Sequence, residues 1–229
     1  MMLSIDKGIH MAKTKEYRHF CAAARTLEVI GEKWSLLIVR DLLRGPQRFS
    51  DLLRYLGAIT PKWLTLRLRE LEAAGIVERD AKEGRREVWY LLTEVGRDLE
   101  PVVEALIVWG IKHAMRPPLL GERVHPEIIM SGLVVAFNNG MRVWPPEAVT
   151  WVFQFGGDEA QTLNFDGQRW STQPGADREA DVTIETTPEA WAKILTASPV
   201  ERQKLQEGLT VQGDQARVQE FVATCLTNA

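Results

Sequence analysis

The segment from Thr60 to Gly75 restricts the fold more than any other part of the chain. A hydroxyl residue followed by proline starts a helix. Thr60 can accept from an N–H of the first turn, and Pro61 sits where a missing N–H costs nothing. Gly75 is a natural stop. Between them Leu64, Leu68 and Leu71 recur at helical spacing and share one face, whereas Lys62, Leu66 and Arg69 point the opposite way with Thr65 on their flank. Taken alone, this is the pattern of any amphipathic surface helix.

Its neighbours say more. Upstream, Cys21–Ile30 is rich in helix formers and stops at Gly31. Lys33–Leu43 reads as a mostly buried helix ended by Gly45-Pro46, and Phe49–Leu56 as a short helix ended by Gly57. Downstream, Ile76–Arg79 and Val88–Leu92 are strand-like and flank a polar tip, Asp80–Arg86, that carries Lys82, Arg85 and Arg86 around Gly84. Short helix, turn, proline-started helix and basic-tipped hairpin is the order of a winged helix-turn-helix. In that arrangement the second helix enters the major groove of double-stranded DNA and the hairpin reaches the neighbouring groove or backbone. Lys62, Thr65 and Arg69 are therefore expected to face the major groove. Lys82, Arg85 and Arg86 are expected to meet phosphates or the minor groove, adding affinity more than sequence preference. Thr93 then caps a predicted long helix, Glu94–His113, whose apolar stripe is Leu99, Val102, Val103, Leu106, Ile107 and Ile111, with Trp109 beside it. Packing onto the domain's own core is one use for such a stripe. A homodimer interface is the other, since helix-turn-helix proteins read half-sites about 34 Å apart as two-fold dimers.

The charge balance agrees with a division of labour. The 229-residue chain has a formal net charge of -3, but residues 1–116 hold 20 Lys and Arg against 16 Asp and Glu, and residues 117–229 hold 8 against 15. Only the first part has the sign that suits phosphates. The expected organisation is a flexible arm at residues 1–16, a mainly α DNA-binding and dimerisation domain at 17–116, and a second domain at 117–229 beyond Arg116-Pro117-Pro118. Cys21 and Cys225 form neither a metal motif nor a disulfide framework, which fits a reducing cytoplasm. No apolar run has the length of a signal-peptide core or a membrane span. No metal site, cofactor motif or catalytic constellation stands out, so an enzyme is not expected.

The second half alternates differently. Pro126–Phe137 reads as a helix. Val149–Phe155, Gln161–Phe165, Gln168–Thr172 and Asp181–Thr186 read as strands, with a hairpin turn at Asp166-Gly167. Helices at Pro188–Leu195 and Pro199–Gln206, a last strand at Leu209–Gly213 and a closing helix capped by Asp214 complete an expected α+β domain. Its sheet is small and mostly antiparallel, with the helices on one side. Of its many aromatic residues most are core filling. Phe137, Trp151, Phe153, Phe155 and Trp191 are candidates to line a pocket for an apolar effector.

Both halves resemble known families. Cys21 to about Ala114 resembles the HxlR family of bacterial regulators. The residues that carry it are Cys21–Leu42, Arg48–Leu52, Thr60–Arg79 and Tyr90–Arg97. The resemblance implies a homodimeric transcriptional regulator with recognition helix and wing as placed above. It also implies a cysteine at the start of the first helix, where Cys21 stands. In some relatives that cysteine senses oxidants or electrophiles; here Ala22 replaces the usual following proline, and a buried structural thiol is the commoner state of such a residue. The run Ala180–Trp191 with Gly208–Asp214 resembles the sterol-carrier-protein type 2 fold, which implies an apolar tunnel between sheet and helices. The leading expectation is a DNA-binding regulator controlled by a hydrophobic small molecule. The alternatives are a regulator whose second domain serves only oligomerisation or partner docking, and a lipid carrier with a vestigial helix-turn-helix.

Overall fold

The computed structural model describes residues 16–81, 87–142 and 144–226. Within it the chain forms two compact units, residues 1–104 and 105–229.

The first unit runs α1 (Ala22–Ile30), α2 (Ser35–Leu43), β1 (Gln47–Arg48), α3 (Phe49–Leu56), α4 (Pro61–Ala73), β2 (Val77–Asp80), β3 (Trp89–Leu92) and α5 (Glu94–Arg97) into α6 (Glu100–His113), where the unit boundary falls. Its core is aliphatic: Ile38, Val39, Leu52, Leu64, Leu68 and Leu71 are all but sealed from solvent. A buried ion cluster ties down α2, with Asp41 2.9 Å from Arg40 and 3.5 Å from Arg44. The Arg44 guanidinium also lies 4.3 Å over the Tyr55 ring of α3.

Two features depart from the sequence expectation. The helix predicted over Glu94–His113 is broken into α5 and α6. Pro101 has no N–H to continue the ladder, so it stands in the first turn of a new helix, where none is needed. The hairpin also gains a third strand. β1 pairs with β3 through Gln47–Tyr90 and Arg48–Trp89, giving the sheet order β1-β3-β2. Two residues are too few to show any period.

The end of α4 is locked to β2 and α5. Gly75 adopts φ +69°, and the Ile76 N–H returns to the Leu71 carbonyl at 2.9 Å. The Thr93 hydroxyl donates to the Gly75 carbonyl at 2.6 Å and accepts from the Gly96 N–H at 3.0 Å, so one side chain clamps the helix end and caps α5. Gly96 is required here because a Cβ would collide with the Ile76 carbonyl oxygen.

The second unit contains α7 (Pro126–Asn138), β4 (Val149–Gln154), β5 (Ala160–Phe165), β6 (Trp170–Pro174), β7 (Val182–Glu185), α8 (Pro188–Thr196), α9 (Pro199–Gln206), β8 (Thr210–Gly213) and α10 (Gln215–Phe221), which continues as a π-helical turn, Val222–Leu226. The sheet is mixed, in the order β6-β5-β4-β7-β8. β4 and β7 run parallel and every other pair is antiparallel. Register places Trp151, Leu163 and Val182 side by side on one face, with Phe153 and Ile184 next along it. Phe137 of α7, Trp191 and Ile194 of α8, and Phe221 of α10 join these residues in one core. The opposite face is mostly polar, and the β6–β7 connection is tied to it. The Asp177 N–H donates to the Thr162 hydroxyl at 3.1 Å, and the Asp181 carboxylate accepts from the Thr150 N–H at 2.8 Å.

Gly96→Ala is expected to cost roughly 1–3 kcal/mol through that collision. Urea denaturation of the purified chain checks it, and an unchanged midpoint would show that the contact relaxes freely.

Candidate nucleic-acid interface

The geometry around α4 comes from its sequence. The Thr60 hydroxyl accepts from the Trp63 N–H at 3.4 Å and Pro61 occupies the first position, so the helix begins where the two signals place it. Gly57, at φ +63°, makes the turn from α3, and Ile59 is buried beneath it. Burial of Leu64, Leu68 and Leu71 then fixes the rotation of α4. Lys62, Trp63, Leu66 and Arg69 are left exposed, Trp63 at 51% and Leu66 at 40%, while Thr65 is half-buried.

The basic residues divide by what holds them. Arg67 is buried, 2.5 Å from Glu70 and 3.7 Å from Glu32. Arg48 pairs with Asp51 and Glu87, each at 3.0 Å, and stacks 5.6 Å over Trp89. These arginines are committed to the fold, and the hydrogen bond to Asp51, then that to Glu87, raises the pKa of Arg48. Lys62 and Arg69 form no ion pair among the described residues. Arg79 of β2 is likewise exposed and unpaired there.

Arg79 is a residue that sequence reasoning missed. It belongs with Arg69 because both charges act on the same phenol, that of Tyr90 on β3. Burial raises the Tyr90 pKa, Arg79 pulls it back, and the smaller effects of Glu72 and Arg69 oppose each other. The cross-strand pairing Arg79–Tyr90 brings the β2 position to the same place. The strand-like alternation after Gly75 is the signal that could have marked Arg79. The Thr65 hydroxyl donates to the Pro61 carbonyl of its own helix at 2.8 Å, so only its lone pairs remain for a ligand. Lys82, Arg85 and Arg86 lie outside the described residues.

The stripe on α6 separates into two directions. Val103 turns inward at 5% exposure, whereas Val102, Leu106 and Trp109 stay exposed at 40%, 49% and 59%. Ile111 packs against the core of the second unit. The two cysteines also differ. Cys21, expected as a buried thiol if structural, is exposed at the N-cap position of α1, where no side chain competes for the first N–H groups. Cys225 is buried in the second unit's core, and burial pushes its thiol pKa up. Phe137, Trp151, Phe153, Phe155 and Trp191 are all buried and packed ring against ring, with Phe153 and Trp191 4.9 Å apart. Among the described residues no helix is long and apolar enough to cross a membrane, and no group of three or more His, Cys, Asp or Glu could hold a metal ion.

Comparison with known proteins places the first unit. The model of the HxlR-like helix-turn-helix family matches residues 29–117. The HTH-type transcriptional regulator YkvN of Bacillus subtilis is 41% identical over 110 residues, which span 47% of this chain and 93% of that protein. YtcD of the same organism, another HTH-type transcriptional regulator, is 45% identical over 92 residues, or 40% of this chain and 73% of that protein. The solved structure of YtcD is 43% identical, covers 41% of this chain and 96% of its own, and superposes with a TM-score of 0.38. The named family is one of regulators rather than enzymes.

Two contrasts test this geometry. Leu68→Ala is expected to cost about 2–5 kcal/mol and Leu66→Ala less than about 0.5 kcal/mol, read from denaturation midpoints. Equal losses would place α4 in a different rotation. A mild thiol electrophile should label Cys21 and leave Cys225 unmodified in the folded chain, as peptide mass mapping would show; labelling of Cys225 would contradict its burial.

Proposed function

This chain belongs to the HxlR-like helix-turn-helix family of transcriptional regulators, and from that premise we propose that it is a cytoplasmic homodimer that reads two DNA half-sites with α4 and responds to an apolar effector in its second unit. The observation that carries the DNA contact is the face that α4 leaves over. Lys62, Thr65 and Arg69 surround the exposed Leu66 and Trp63, and neither basic residue has an intramolecular acid among the described residues. Arg69 suits bidentate pairing with a guanine edge, and Lys62 acts as a mobile charge. Arg79 extends the basic surface towards the hairpin, whose tip residues Lys82, Arg85 and Arg86 would meet phosphate.

The dimer reading rests on Val102, Leu106 and Trp109, large apolar side chains exposed on one face of α6. Such a stripe is costly to leave in water and suits a two-fold partner. A sterol-carrier-like second unit would hold its effector between α7, α8 and α10 and the apolar face of the five-stranded sheet on which they pack. An effector acts by binding the DNA-competent and incompetent forms unequally, and Cys21, exposed at a helix start, would give a second input. A second unit used only for oligomerisation or partner docking would leave the DNA contact unchanged. A lipid carrier with a vestigial helix-turn-helix is disfavoured because the basic face of α4 is intact.

Arg69→Ala should weaken binding to a selected operator by about 1–3 kcal/mol and relax preference at one base pair, whereas Arg85→Ala should weaken all sequences alike and lower the salt slope by about 1. Fluorescence anisotropy across a salt series separates the two, and identical behaviour would refute the assigned roles. Leu106→Glu is expected to shift the chain from dimer to monomer in analytical ultracentrifugation. A dimer that survives the added charge would remove α6 from the interface.

A further inference from the structure

The outward face of α4 carries one side chain that can make no polar contact. Leu66 stands nearly opposite the buried Leu64, Leu68 and Leu71 and is 40% exposed. Lys62 lies one turn before it and Arg69 one turn after it, both exposed. Its other neighbours are engaged within the fold. Trp63, though exposed, has the guanidinium of the buried Arg67 6.0 Å from its ring centroid. Glu70 is paired with the same Arg67, and the Thr65 hydroxyl has committed its proton to the Pro61 carbonyl at 2.8 Å. Leu66 thus presents bare methyl groups from the middle of a basic face.

A leucine cannot bind a phosphate, and it can neither donate to a base edge nor accept from one. A solitary exposed leucine is ordinary on a protein surface. This one is set between two cations on the outermost line of the helix, where a polar side chain would meet a base. The major groove of unmodified DNA offers one apolar feature, the C5-methyl of thymine, on the same edge where guanine offers O6 and N7 to an arginine. Three residues of helix rise about 4.5 Å and base pairs stack about 3.4 Å apart. A guanine met by Arg69 and a methyl met by Leu66 would therefore lie within about two base pairs of each other.

We propose that Leu66 is a specificity-determining residue that reads a thymine through its C5-methyl group, beside a guanine read by Arg69. Contact between the isobutyl group and the methyl takes apolar area of both out of water, so the preference comes from burial and needs no hydrogen bond. Cytosine in that place lacks the methyl and sets the outward N–H of its amino group against the leucine, where it finds no acceptor. 5-Methylcytosine keeps the methyl but carries the same amino donor, whereas thymine carries an O4 acceptor. Lys62, a donor only and one turn away, suits the acceptor and so favours thymine. The proposal rests on the reading of α4 as the helix that enters the groove.

The test uses the full chain and synthetic duplexes of its selected operator in which each thymine in turn is replaced by uracil. That exchange removes the methyl and keeps every hydrogen-bonding group. Affinities are read by fluorescence anisotropy. The expected result is one thymine in each half-site, within about two base pairs of the guanine whose preference Arg69→Ala relaxes, at which uracil weakens binding about fourfold. Leu66→Ala should bind the thymine and uracil duplexes alike at that position, and the uracil scan of the unaltered chain stands even where the variant fails to fold. A uracil effect that persists in folded Leu66→Ala would assign the methyl to another side chain and overturn the proposal. Binding of 5-methylcytosine in that place as tight as that of thymine would overturn thymine as the base read. Sequence-specific binding untouched by every uracil would overturn the contact and leave α4 standing as the DNA-reading helix. Absence of sequence-specific binding would refute that reading and the proposal with it.

Discussion

Burial of Leu64, Leu68 and Leu71 is the constraint on which the rest of the first unit depends. Each buried leucine contributes on the order of 1.5–3 kcal/mol, and the three together fix the rotation of α4 to within a residue. Arg67, one position from Leu68, is thereby drawn inside and needs Glu70 and Glu32 to be tolerated there. Lys62 and Arg69 are pushed outside by the same rotation, and among the described residues no acid meets them. The face that could touch DNA is thus the complement of the face that holds the fold together. Its precision is inherited from the core, and the Thr93 clamp at the end of α4 carries that precision to the hairpin and α5.

The second unit solves a different problem. A mixed sheet with one mostly polar and one apolar face needs helices on the apolar side only, and the aromatic cluster fills the space between. Aliphatic side chains would have filled it without polar atoms. Tryptophan instead brings in the indole N–H groups of Trp151, Trp170 and Trp191, which find no hydrogen-bond partner among the described residues.

Local signals are legible wherever one residue type dictates one conformation. Thr60-Pro61 and Gly75 bound α4 in the sequence and in the structure, and the Asp166-Gly167 turn between β5 and β6 is equally plain. The features that cannot be read depend on tertiary partners. β1 exists because Gln47 and Arg48 find β3, not because of any pattern of their own. The apolar stripe after Thr93 is visible, yet only packing decides that Val103 goes in while Val102, Leu106 and Trp109 stay out. Pro101 is in plain view, but the continuous stripe across it hides the break between α5 and α6. At the site, the outward side of α4 is legible from spacing. The back-bond of Thr65 and the pairing of Arg79 with Tyr90 across the ladder are not, since both are facts of geometry.

The central claim is that α4, as it stands on this core, reads DNA. Selection of binding sites by the full chain from a random pool of duplexes tests it directly. Enrichment of a two-fold related motif, with half-sites separated by about 10–10.5 base pairs or a multiple of that spacing, is the result this account predicts. Retention of DNA without enrichment of any sequence, or no retention at low salt, would contradict it.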